Sequence, residues 1–448
     1  MSSPGRSTSL LLFWALTVLW NSAVRGLAPS NSRTSNQVAV LDLPSWGVIS
    51  VKGADRKRLL HGLASQSFED TTPGQAFSTC FLDATGRVLH YARALVTEND
   101  IKLICEENCA APLLEFVDRF IFPADKVSVE DESPWSRVCL MIGPNALHDS
   151  LPLQKRPDLA AMDAFDLLSD RQPAFQNIDL DSGVRALVVP GNDLSAPGGP
   201  AELGGHTVVL QATSPEPKQK PSLPFLSSAP VGSITDWHSL RTQTGRFSLF
   251  EALALNATAL ELGLMHSLHF QKGCYVGQEA VSKAVSMRSV RRRLVGLKSE
   301  GGELEAGDCL LDSEGEAVGG VSSWSNGGAG LGLLKARLFD AHLAPAPTEA
   351  STQAVQDGTL RLVVSGKPHL AVTARALPFP RFGTKSSIAP PAERLQSVGQ
   401  NIVLPAAGAG AGAGSSAAAE AEEARKAAKL EEMARKVAAL RARKPPAP

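Results

Sequence analysis

The run HFQKGCYVGQEAVSK, residues 269–283, packs Lys272, Gly273, Cys274, Tyr275, Gly277, Gln278 and Glu279 into eight positions. Two glycines this close mark a tight turn in which the backbone approaches another group. Gln278 and Glu279 then fall in the first turn of a helix. A cysteine beside Lys272 and just ahead of a helix start sits where a thiolate is favoured. Taken alone, the same run reads first as a turn that caps a helix and half-buries a thiol.

On the C-terminal side of this run, RLVGLKSE, CLLD, EAVGGVSSW and TLRLVVSG are short apolar segments cut by Gly, Asp and Ser, the pattern of an antiparallel barrel or sandwich. On its N-terminal side the chain mixes both periods. WGVISVKG (46–53) alternates as a strand, and ADRKRLLHGLAS (54–65) follows as a short helix. FSTCFLD (77–83), VLHYARALVT (88–97) and IKLICEE (101–107) read as consecutive strands, the first two joined by an ATGR turn. Leu113, Leu114, Val117 and Phe120 give 109–122 a helical spacing, and 233–244 is a further helix. Strands are also expected at 138–142 and 185–189. Prolines at 215, 217, 221, 224 and 230 make 211–230 a surface loop or insertion. The fold class is therefore α+β, followed by a mostly β region.

The chain has 448 residues, enough for two or three domains. Lys and Arg total 44 against 45 Asp and Glu, which excludes a strongly basic nucleic-acid binder as read from charge. Six cysteines are too few for a disulfide framework and point to a reducing compartment. The ends differ from the middle. LLLFWALTVLW (10–20) is too short to span a bilayer and fits the apolar core of a signal peptide. A hydroxyl-rich stretch follows, and no acid occurs before Asp42. Together, residues 1–37 resemble the two-part leader of algae with secondary plastids. A plain secretory signal and a mitochondrial presequence are the other readings. At the far end, 381–448 is a linker and tail that includes PAAGAGAGAGSS (405–416) and an Ala-rich helical segment with a Leu430, Met433, Val437, Leu440 seam.

The KGCYVGQE run resembles the K-G-C-Y-x-G-Q-E signature of the YgfZ-type folate-binding proteins. These include the Iba-type iron–sulfur assembly factors and are related to the aminomethyltransferase T-protein of the glycine cleavage system. ALELGLMHSLHFQ before it resembles the family's approach to the motif, with Ala259 in place of Pro. After it, Lys283 replaces an Arg, while Arg291, Arg292, Arg293 and Leu294 keep a basic run. WGVISVKGADRKRLLHGLASQSF and FLDATGRVLHYARAL resemble the family's opening and its D-x-x-G-[KR] hairpin. The likeness covers about residues 40–380.

The resemblance implies a three-lobed, aminomethyltransferase-like (GcvT-type) ring around a folate channel. Residues 38–292 would form the folate-binding region and 293–380 a C-terminal β-barrel. It places Trp46 and Trp237 at the folate, where an aromatic face binds a flat pterin. Tyr275, Gln278, Glu279 and Arg291 stand with them as cofactor-binding candidates. Arg241, Arg246, Arg288 and Arg291–Arg293 are candidates for a basic lip facing the carboxylates of the folate tail.

The T-protein carries paired acids in its early hairpin. Here no Asp or Glu lies between Asp83 and Glu98, which favours an assembly factor over a transferase. The function implied is a factor for assembling or maintaining four-iron–four-sulfur clusters, with tetrahydrofolate as cofactor and Cys274 as the reactive thiol. A cluster usually takes four ligands, so Cys274 would touch one transiently. Assembly proteins and client enzymes are the expected partners, with no direct nucleic-acid contact and no membrane contact once the leader is removed. The plastid stroma is the expected location, and the mitochondrial matrix the alternative. A folate-dependent transferase and a non-catalytic folate-binding module are the rival functions. No resident metal is expected. His266, His269 and Cys274 have non-standard spacing for zinc, and Cys105 with Cys109 form a lone C-x3-C.

Overall fold

A computed structural model of the protein describes residues 40–143, 175–180, 183–191, 194, 205–213, 219–222, 231–325, 328–343 and 359–377. The leader, the linker and tail with its apolar seam, and most of the Pro-rich stretch lie outside the described residues.

Two open sheets and a closed barrel hold the described strands. The first sheet has five strands: β2 (Trp46–Lys52), β3 (Ala76–Leu82), β4 (Val88–Val96), β5 (Asp100–Glu107) and β6 (Ser128–Asp131). They run in the order β3-β4-β5-β2-β6, and every pairing is antiparallel. The second sheet has six strands: β1 (Val40–Leu43), β7 (Ser136–Ile142), β8 (Gln176–Leu180), β9 (Val184–Pro190), β10 (Gly205–Ala212) and β11 (Val231–Gly232). Its order is β11-β1-β7-β10-β9-β8, with β1 and β11 parallel.

The alternation in WGVISVK suggested a strand with one wet face, but six of its seven residues are buried. The reason is a core on each side. Ile49 and Val51 pack with one cluster that includes Leu60, Phe68, Phe81, Leu103 and Tyr275. Trp46 and Val48 pack with the other, where Leu41, Leu140, Val189 and Val209 come from the six-stranded sheet. Ser50 on this strand is also buried, donating to Asp100 Oδ2 at 2.8 Å. Asp100 in turn meets Lys102, and Lys102 meets Glu132, at 2.9 and 2.7 Å, so these buried polar groups are paired.

Helices close the outer faces. They are α1 (Arg56–Leu63), α2 (Ala110–Asp118), α3 (Ile234–Thr244), α4 (Leu249–Ala254) and α5 (Gln278–Ser286). At the start of α3, Ser233 N donates to Asp236 Oδ2 at 2.7 Å, half of a capping box. Gly245 ends it in the left-handed region.

The barrel confirms the β-rich reading of the C-terminal segments. Strands β12 (Arg292–Glu300), β13 (Cys309–Leu311), β14 (Ala317–Ser325), β15 (Ala329–Lys335), β16 (Thr359–Val364) and β17 (Lys367–Ala376) close in the order β12-β15-β14-β13-β16-β17. Closure leaves no free edge. Val295, Leu297, Leu310, Val318, Leu334, Leu362 and Val372 fill the interior. A short helix, α6 (Ala336–His342), follows β15. Among the described residues no helix is long and apolar enough to cross a membrane.

Candidate functional site: a fastened thiol loop and a polar cleft

The 269–283 run is held at both ends. Lys272 is 8% exposed, and its Nζ donates to the carbonyls of His61, Ala64 and Gln66, the last two at 2.6 and 2.8 Å. These carbonyls lie at the C-terminal end of α1, where helix carbonyls lack partners and a cation is favoured. The Lys272 ammonium also stands 4.8 Å above the Tyr275 ring. Burial lowers its pKa to about 7. Three carbonyl acceptors oppose that shift, because only the protonated amine offers three N–H donors. The lysine that the sequence suggested as a thiolate neighbour thus serves the end of α1.

Upstream of Lys272, His269 N donates to Ser65 O at 2.9 Å, and Gln66 Nε2 donates to His266 O at 2.7 Å. Downstream, Gln278 closes the loop on itself, with Nε2 donating to Lys272 O at 3.2 Å. Gly277 precedes α5 at φ 86°, and a Cβ on it would stand 2.5 Å from Asp83 O. Only glycine fits there. Asp83 begins the ATGR turn. Burial works against its charge, yet bonds from Thr85 and Arg87 hold its carboxyl below the usual carboxylate range. Its Oδ1 is therefore committed to shaping the turn. Gly86 of that turn faces Ala280 of α5. The two motifs read separately in the sequence dock on each other.

Tyr275 is 7% exposed and belongs to the core beside Cys80, while Glu279 is exposed in the first turn of α5. Cys274 is the one fully exposed cysteine of the six. Cys80, Cys105, Cys109 and Cys139 are buried, and burial raises the pKa of each, to about 12 for Cys80 and Cys109. His61 Nε2 approaches the loop from α1, 3.7 Å from where a Cβ on Gly273 would lie. No group of three or more His, Cys, Asp or Glu among the described residues is placed to hold a metal ion.

The second feature is a narrow crevice, partly open to solvent, at the seam of the two sheets. Trp46, Tyr91, Arg93, Ile104, Cys105, Glu106, Leu140, Thr207 and Arg246 line it. Trp46 and Trp237 meet edge-to-face at 5.2 Å, but Trp237 is 1% exposed and stands behind Trp46 rather than on the wall. Tyr275, Gln278, Glu279 and Arg291 also lie off this wall. Of the expected basic lip, only Arg246 lines the cleft. It is buried, with its guanidinium 4.6 Å from the Tyr91 and Phe247 ring centres. Arg241 is paired with Glu251 at 2.9 Å and Arg292 with Glu261 at 2.8 Å, while Arg288 and Arg291 are exposed. Arg93 crosses between the sheets, its Nη1 donating to Gly191 O at 2.7 Å and Thr207 Oγ1 at 2.8 Å, and its Nη2 to Pro190 O.

Sequence reasoning missed Tyr91, Arg93, Glu106 and Thr207, which come from separate strands and share no motif. Glu106 matters most. The hairpin lacks an acid, as read, whereas β5 brings Glu106 to the cleft wall.

A crystal structure of the glycine cleavage system aminomethyltransferase T from Bartonella henselae matches with a TM-score of 0.50 at 15% identity, over 77% of this chain and 88% of that one. The chain has the aminomethyltransferase fold. Among curated proteins, a chloroplastic protein of Arabidopsis thaliana with a provisional transferase name is 27% identical over 299 residues, 66% of this chain and 64% of that one. A mitochondrial homologue of the iron–sulfur cluster assembly factor IBA57 from Yarrowia lipolytica is 25% identical over 300 residues, 60% of this chain and 57% of that one. The match thus spans less than two thirds of the length of either curated relative. No family model matches the chain. The kinship read from the K-G-C-Y-x-G-Q-E run is the one these relatives share: organellar proteins by name, an assembly factor among them, on the aminomethyltransferase fold.

Proposed function

We propose that the protein is an organellar folate-binding factor that assembles or maintains four-iron–four-sulfur clusters in client proteins. The observation that carries this reading is the exposed Cys274 on a loop fastened by Lys272, Gln278 and Gly277. A structural cysteine is normally buried, and so much anchoring of an exposed thiol fits a group held out for a partner. The likeness to an iron–sulfur assembly factor supports the same reading. One thiolate cannot hold a cluster alone. The cluster is therefore cargo, shared between Cys274 and ligands on a partner or on glutathione.

The walls of the cleft carry the kinds of group that would suit tetrahydrofolate. Trp46 and Tyr91 offer aromatic surface to a flat pterin, and Arg246 offers a cation to an anionic tail. Trp46 Nε1 and Glu106 Oε1 are buried without hydrogen-bond partners, as expected of a polar site that awaits a ligand. When bound, the folate would supply one-carbon or redox chemistry. The protein's own residues supply orientation and exclusion of water.

One observation favours a second reading. A folate-dependent transferase needs an acid near the pterin, and Glu106 provides one. A single experiment separates the two. The chain from residue 38 onward is expressed in a bacterium lacking its own YgfZ-type protein, and the activity of a four-iron–four-sulfur radical enzyme is measured under oxidative stress. The assembly reading expects rescue by wild type and none by Cys274→Ser. Rescue by both demotes Cys274 to structure. Failure of a folded, folate-binding protein to rescue transfers support to the transferase. The plastid stroma is the location we favour from the leader, with the mitochondrial matrix as the alternative.

A further inference from the structure

Asn256, Ala257 and Thr258 form an N-x-T triplet, and no other N-x-S or N-x-T triplet occurs in the 448 residues. Such a triplet is the acceptor for an N-linked oligosaccharide when its middle residue is not proline and its asparagine stands at a surface. Both conditions hold. Asn256 is exposed, just past the end of α4, at φ 47°.

The backbone of the triplet is committed to the fold. Asn256 N donates to Leu253 O at 3.1 Å, and Asn256 O accepts from Arg292 Nη2 at 3.4 Å. Ala257 O accepts from Val88 N at 3.0 Å. Thr258 serves the next turn, its N donating to Glu261 Oε2 at 3.0 Å and its Oγ1 accepting from Glu261 N at 3.3 Å. The side-chain amide of Asn256 is different, with no hydrogen bond among the described residues. Asparagine tolerates the left-handed region, but glycine would serve that turn at lower cost. What asparagine adds is an amide nitrogen in solvent.

A separate observation lies at the other end of the chain. Residues 10–20 fit the apolar core of a signal peptide. Both the two-part plastid leader and a plain secretory signal take a chain into the endoplasmic reticulum, where these triplets are modified, and a mitochondrial presequence does not.

We propose that Asn256 is a glycosylation site, filled as the chain passes through the endoplasmic reticulum. The donor is an oligosaccharide carried on a lipid diphosphate. Its sugar C1–O bond breaks, the lipid diphosphate leaves with the electron pair, a C1–N bond forms to Asn256 Nδ2, and the amide gives up one proton. An exposed, unbonded side chain accepts this bulk without repacking. The proposal rests on the signal-peptide reading of the leader and adds a mark of route: secretory entry leaves a sugar at Asn256, and direct mitochondrial entry leaves none.

The test is translation in vitro of the full chain, leader included, with endoplasmic-reticulum microsomes. Protease-protected product is run on a gel before and after peptide N-glycosidase. One upward mobility step is expected, removed by the glycosidase, lost in Asn256→Asp and Thr258→Ala, and kept in Thr258→Ser. Aspartate matches asparagine in shape and also tolerates the turn. Transfer acts on the entering chain, so loss of the step does not depend on how a variant folds. Protected product with no step, or a step that survives Asn256→Asp, overturns the site and leaves the signal-peptide reading intact. Product that stays open to protease removes that reading and the site with it.

Discussion

The thiol loop and the cleft treat their polar groups in opposite ways. In the loop, Lys272, Gln278 and the neighbouring backbone are bonded inward, and what faces outward is a thiol. In the cleft, Trp46 Nε1 and Glu106 Oε1 are buried without a hydrogen-bond partner in the protein. The first arrangement is rigid without a ligand and presents one atom to a protein surface. The second leaves polar atoms unmatched by the protein itself. The contrast teaches that a dense motif need not be the binding site. Most of KGCYVGQE builds the mount, and the cleft proposed for a small molecule is assembled elsewhere from dispersed strands.

Substitutions that attack the mount break this comparison most severely. Gly277→Val forces a branched side chain into φ 86° and against Asp83 O. We expect a loss of about 4 kcal/mol in denaturant unfolding, from backbone strain plus the clash. A loss below 1 kcal/mol would show that the loop and hairpin are not docked.

A pH effect sharpens the cleft side. His206 stands on β10 next to Thr207 of the cleft wall, 4% exposed with both ring nitrogens unpartnered. Burial, with Arg93 nearby, lowers its pKa to about 4. An unfolded histidine titrates near 6.5, so between these values the unfolded chain binds more protons. The stability that His206 contributes is present above about pH 6.5 and is lost as pH falls to about 4, on the order of 3 kcal/mol. His206→Leu should flatten that part of the profile, leaving the share of His90, which burial also lowers to about 4.

Lys272→Met removes three donors and leaves carbonyls at the end of α1 unpaired. A destabilisation of about 2 kcal/mol is expected by denaturant unfolding. Cys274→Ser, at an exposed position, should change stability by less than about 0.5 kcal/mol while abolishing rescue. A large stability loss in that variant would make Cys274 a packing residue and erase the contrast between loop and cleft.

Much of the architecture was legible because local periodicity and punctuation agree with the fold. The segments read as strands at 77–83, 88–97 and 101–107 became β3, β4 and β5, and the Gly-interrupted C-terminal segments became the barrel. The burial of both faces of β2 was not legible, because it depends on a second sheet contributed by distant residues. Cys274 was visible as the centre of a motif. The direction in which Lys272 points was not, since its acceptors lie some 200 residues away. Glu106 was hidden for a subtler reason. In ICEE its side-chain direction depends on a bulge set by pairing with Trp46 and Gly47, which no pattern within β5 encodes.

The central claim is that the fold presents Cys274 and shelters the other thiols. Time-resolved alkylation of the native full chain with iodoacetamide, read by mass spectrometry at each cysteine, tests it most directly. The account predicts that Cys274 reacts at the rate of an unprotected thiol and that Cys80, Cys105, Cys109 and Cys139 lag by about 100-fold or more until the protein unfolds. Protection of Cys274 equal to that of the buried four would contradict it.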